Sequence, residues 1–168
     1  MPAQQQDYIL RHIQTISRLV ARLRLKGKLL SEEDRAEVNE TLQLALDLQE
    51  RNFGMPASRF LALSADEQFA TLTAGLAKDA GHTRCLVYVA LLRETAELYA
   101  WRDASHLAVG ARQLALYIAV RVALDQPADP TEARGQIRDL RRFLDGAPLY
   151  PPTQDLLEQF DRSTDTIA

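Results

Sequence analysis

Ile9, Ile13, Ile16, Val20 and Leu23 recur at alternating spacings of four and three residues. That period keeps five apolar side chains on one face of an α-helix, whereas a half-buried strand alternates every second residue. Similar stripes return in Val38, Leu42, Ala45, Leu46 and Gln49, and again in Ala133, Ile137, Leu140 and Leu144. No stretch alternates as a strand does. The chain is therefore expected to be all-α, because helices of this kind gain most of their stability by packing their stripes together.

Start and stop signals divide the pattern into about seven antiparallel amphipathic helices. The first, over 5–26, meets a stop at Gly27, with Arg22, Arg24 and Lys26 set against the negative end of its dipole. Ser31 followed by Asp34, and Ser64 followed by Glu67, are capping-box starts. Gly54 and Pro56 break the pattern, and 58–63 reads as a single turn held by Phe60, Leu61 and Leu63. Helices over 82–101 and 104–124 are joined too tightly for anything but antiparallel packing, with Asp103 as N-cap of the second. Asp129 is expected to cap a helix whose first residue is Pro130. The run Tyr150-Pro-Pro152 reads as an extended approach to a short last helix over 153–161, with 163–168 a frayed tail. These elements suit a helical-hairpin array or an irregular bundle. One domain over 1–168 is expected, since the best linker candidate, 125–129, is short and brings no change of composition.

A hydrophobic share of 46% and a charged share of 26% belong to chains that fold, and 168 residues suffice for a sizeable core. The apolar runs 85–92 and 114–120 are cut by Arg93 and Arg121, well short of the roughly 20 residues that cross a bilayer. The opening residues lack the basic-then-apolar pattern of a secretory signal, so a cytoplasmic location is expected. Cys85 is the single cysteine and sits in an apolar run, where it reads as a small buried hydrophobe. The net charge of −3 divides into blocks of alternating sign: +5 over 1–30, −6 over 31–80, +2 over 81–124 and −4 over 125–168. Such alternation suits helices whose charged rims meet.

The opening Asp7-Tyr-Ile-Leu-Arg11, the connection Phe53-Gly-Met-Pro-Ala-Ser-Arg-Phe-Leu-Ala-Leu-Ser64 and the hairpin over 82–124 carry a resemblance. Over residues 7–124 the chain resembles a family of small uncharacterised bacterial proteins with tetratricopeptide-like helices. The resemblance implies a helical-hairpin fold and no particular activity. Near the hairpin turn, Tyr99 and Asp103 stand without the glycine of a true tetratricopeptide repeat.

Chemistry-bearing motifs are few. There is no glycine-rich phosphate loop, G-x-S-x-G, H-E-x-x-H or C-x-x-C. Asp79-x-x-His82 and Asp103-x-x-His106 have the carboxylate–histidine spacing of metal-binding bundles, but both fall at expected helix starts, where aspartate serves as a cap. No metal or cofactor is expected, and an enzyme or metal protein using His82 and His106 is the alternative reading. Arg11, Arg18 and Arg22 share one face of the first helix, extended by Arg24, Lys26 and Lys28. Nucleic acid or an anionic membrane would suit that face, but seven carboxylates between Glu32 and Glu50 offer it internal partners. Tyr88, Tyr99, Trp101 and Tyr117 could line a groove, or pack with polar tips at the rim. Gly110 and Gly135 fall inside helices, where close approach of a neighbour would justify them.

On a helical wheel, 82–101 is apolar around most of its circumference, and 104–124 carries a second stripe of Val109, Leu116 and Val120 opposite the first. Such helices need cover on both sides. The expectation is a non-catalytic protein–protein interaction module that forms a two-fold homodimer through this hairpin, with Val109, Leu116, Val120, Tyr99, Trp101 and Tyr117 as its surface.

Overall fold

The computed structural model describes residues 2–27 and 29–166. Among them are eight helices and no strand: α1 (Pro2–Lys26), α2 (Glu32–Phe53), α3 (Ala57–Leu61), α4 (Ala65–Thr73), α5 (Lys78–Trp101), α6 (Ser105–Leu124), α7 (Thr131–Phe143) and α8 (Pro151–Asp165). The eighth element is α3, which the sequence presents as a lone turn.

Local chemistry accounts for most of the boundaries. Ser31 Oγ accepts from the Asp34 N–H at 3.1 Å, and Asp34 accepts from the Ser31 N–H at 3.2 Å, closing a full capping box on α2. Ser64 and Glu67 repeat it on α4 at 3.2 and 2.7 Å. Gly54, at φ 71°, ends α2 in the left-handed conformation that glycine adopts without strain.

Several boundaries differ from the sequence reading, beginning with α1, which starts at Pro2 and not at residue 5. α5 begins at Lys78, so Asp79 and His82 lie within its first turns. Gly81 makes that start possible, since a Cβ there would come within 3.2 Å of Thr73 Cγ2 at the end of α4. Asp103 does not cap α6; it stands at φ 59° in a turn closed by backbone bonds, such as Ala104 N–H to Tyr99 O at 2.9 Å, and Ala104 is the N-cap. α7 begins one residue later than expected, with Asp129 Oδ1 accepting from the Thr131 N–H at 2.9 Å. Pro151 and Pro152 form the first turn of α8, whose missing N–H groups would have no helical partner there, and the helix continues to Asp165. Residues 167–168 of the expected tail lie outside the described residues.

α5 is the middle of the molecule. On one side, α1 and α2 each pack more extensively on α5 than on each other, bringing Ile9, Ile13, Ile16, Leu23, Leu42 and Leu48 against Val87, Leu91 and Leu98. On the other, Cys85, Tyr88 and Leu92 meet α6, which α7 and α8 cover from outside through Ala133, Ile137, Leu140 and Leu157. Phe60 of α3 stacks edge-on against Tyr88 at 5.5 Å. Glu97 of α5 ties the layers together, accepting from Arg24 of α1 and Arg112 of α6 at 2.9 Å each.

This arrangement supplies within one chain the cover that α5 and α6 need. Leu116 and Val120 are fully buried, so they offer no surface to a second copy. α6 is long and apolar enough by composition to cross a membrane, but it serves as the core helix. The glycine expectation is also corrected: nothing lies within 4 Å of a Cβ built at Gly110, and Gly135 meets only the end of the Arg138 side chain.

Candidate functional site

The residues singled out by sequence do not converge. His82 is buried at the start of α5, with Nε2 2.7 Å from Asp125 Oδ2 at the far end of α6. His106 is exposed in the first turn of α6, about 28 Å away along the helix axis at 1.5 Å per residue. The two histidines cannot share a metal, and no described group of three His, Cys, Asp or Glu side chains is placed to hold one. Cys85 is fully buried, and burial pushes its thiol up to about 12, away from the thiolate that reacts.

The basic face of α1 is divided. Arg22 pairs with Glu37 and Lys26 with Asp34, while Arg11 and Arg18 are exposed. Lys28 lies outside the described residues. The aromatic residues are scattered among three environments. Tyr88 is in the core, and Tyr117 is buried near α4, donating its hydroxyl to Asp66 at 2.7 Å. Tyr99 and Trp101 pack at the edge of the α1–α2 cluster, where Trp101 borders a hollow of about 140 Å³ with Leu30 and Val38. Tyr117 belongs to the other cluster, around α6, and Val109 is only partly exposed.

A larger hollow lies elsewhere, where the start of α1, the end of α2 and the start of α5 come together. It is a cleft of about 590 Å³. Its apolar lining is Ile9, Leu76 and Val87; Gln5, Gln6 and Thr83 add amides and a hydroxyl; Arg51 and Arg84 are its charges. Among the described residues, no carboxylate lines it. A further hollow of about 430 Å³ shares Gln5, Ile9 and Arg51 and extends to Tyr8.

The cleft's polar groups are positioned by contacts to main-chain carbonyls and to Tyr8. Gln5 Nε2 donates to the Arg51 carbonyl at 2.7 Å, fastening α1 to the end of α2. Arg51 lies over the Tyr8 ring and donates to its hydroxyl at 3.1 Å. Arg84 donates to the Asn52 carbonyl, joining α5 to the same end of α2. Burial holds the Arg84 guanidinium below its ordinary pKa, partly offset by neighbouring Cys85, yet an arginine remains charged. Asn52 is 7% exposed, and its Nδ2 has no hydrogen-bond partner among the described residues.

Sequence reasoning missed this cleft because its residues lie in three segments, 5–9, 51–54 and 76–87, each unremarkable alone. The available signal was Arg84, a cation directly before the apolar run from Cys85 to Leu92 with no acid one turn away on either side. No family model, curated protein or solved structure matches the chain.

Proposed function

We propose that this chain is a non-catalytic protein–protein interaction module, built on tetratricopeptide-like helical hairpins, whose recognition surface is the cleft at the junction of α1, α2 and α5. The observation that carries the reading is the cleft's composition. The apolar residues of its lining give a partner side chain something to bury on, while two arginines and several amides supply orientation and charge selection. α5 and α6, long antiparallel helices joined by a tight turn, support the hairpin comparison. Self-association, if it occurs, needs a face other than the buried Leu116–Val120 stripe.

Site-specific photo-cross-linking in the native cell tests the proposal. A photoreactive residue replacing Thr83, exposed at the cleft, should give a discrete protein adduct that disappears when Arg84→Met is added. The same residue replacing Glu158, exposed on α8, should not give that adduct. Equal adducts from both positions, or none from Thr83, would overturn the assignment of the surface.

A further inference from the structure

We infer that the cleft between α1, α2 and α5 binds a carboxylate carried on an apolar stem, the carboxylate seated between Arg84 and the Asn52 side-chain amide. The inference rests on the interaction-module reading for its location and adds the chemistry of the ligand.

Three independent observations converge on it. Arg84 is a partly buried cation whose hydrogen-bond partner is a main-chain carbonyl, not an acid. A guanidinium has five N–H donors, so one carbonyl leaves most of its capacity open to an anion. Next to it, Asn52 lines the same cleft with a buried amide donor that has no acceptor among the described residues, a costly condition that an incoming oxygen would relieve.

The third observation is the remainder of the cleft, which selects the group attached to the carboxylate. Ile9, Val87 and Leu76 form an apolar surface, and no carboxylate among the described lining residues stands in direct contact against an anion. A bare inorganic anion would leave that surface wet, whereas an aliphatic stem buries it. A carboxylate fits a fork of arginine and amide donors better than a cation or a neutral hydroxyl would. The stem can belong to a free aliphatic acid or to the end of a peptide chain; the chemistry presented to the cleft is the same.

The test is titration of the full chain followed by NMR at the Arg84 Nε–H and Asn52 Nδ2 side-chain signals. Four probes are used: octanoate, octanamide, and a hexapeptide ending in Ala-Leu with either a free or an amidated C-terminus. Octanoate, the free-carboxylate peptide or both should move the two signals, with the matching amides weaker by roughly 10–100-fold. Arg84→Met should abolish the difference between acid and amide. Thr83→Trp, an exposed change that fills the cleft without entering the core, should block binding while leaving helicity intact. Binding of octanoate without the peptide would support the carboxylate site and overturn the protein-partner reading of the cleft. Equal binding of free and amidated peptides would keep the interaction reading and overturn the carboxylate inference. Silence of both signals with all four probes would overturn the inference.

Discussion

The two sides of α5 are built differently. The α1–α2 side buries one stripe per helix and keeps the opposite faces in water, with exposed Arg11, Arg18 and Leu25 on α1 alone. The α6 side surrounds its central helix, so that six consecutive residues from Ala115 to Val120 are buried. Both sides carry caps and ion pairs, such as Arg22–Glu37 on the first and Arg121–Asp66 on the second, but the one-sided layer has a single stripe to lose, whereas the all-round core is packed on every face of α6. Damage should therefore be local on the first side and global on the second.

The largest effect is expected from Leu116→Glu. A carboxylate placed at a fully buried site on α6 costs on the order of 5 kcal/mol, a large share of the roughly 5–15 kcal/mol that holds a domain folded. Circular dichroism should show loss of folding. A helical protein with merely an altered mass in light scattering would mean that the stripe is a surface, and the contrast between the two sides would fall.

Ile16→Ala, fully buried on α1, is expected to cost about 3 kcal/mol. Native-state hydrogen exchange should then quicken through α1 and α2 and leave the slowest amides of α6 nearly unchanged. Equal acceleration in α6 would make the two sides one cooperative unit.

A smaller change comes from Ser31→Ala, which opens the capping box of α2 and should lower stability by about 1 kcal/mol in chemical denaturation. The same junction gives the α1–α2 side an acid sensitivity. Hydrogen bonds from Lys26 first, then Ser31, lower Asp34 from 3.8 to about 2. Because the folded value is depressed, the stabilisation is present above about pH 4 and is lost as pH falls toward about 2. Asp34→Asn should flatten that part of the stability–pH curve; an unchanged curve would remove Asp34 as its source.

The smallest effect should be a gain. Gly110→Ala in α6 meets open space and removes backbone freedom from the unfolded chain, so it is expected to stabilise by roughly 0.5–1 kcal/mol. A lower thermal midpoint would show that α6 is tightly approached at this point after all.

What could be read from sequence divides along the same line. The α1 stripe is buried throughout, from Ile9 to Leu23, and both capping boxes form, because periodicity and caps are written in neighbouring residues. Which helix covers which is written nowhere locally. Val87 and Tyr88 are adjacent and both buried, yet one packs with α1 and α2 while the other packs with α6. A wheel registers that α5 and α6 need cover but not whether it comes from α1, α7 or a second chain. Capping by Asp103 failed for a related reason, since the α5–α6 packing set the turn and left the aspartate in the left-handed region. The cleft was illegible because the distance between Asn52 and Arg84 is a property of the assembled helices.

The central place of α5 also sets an order of events during synthesis. α1 and α2 leave the ribosome before the helix that covers their stripes, and at roughly 5–20 residues per second the chain between Lys26 and Trp101 takes several seconds to emerge. Over that interval Ile9, Ile16 and Leu23 have no α5 to rest on. Nascent chains stalled soon after α2 should be readily cut by protease in α1, and chains stalled after α6 should resist, which makes the early layer the natural client of a ribosome-associated chaperone.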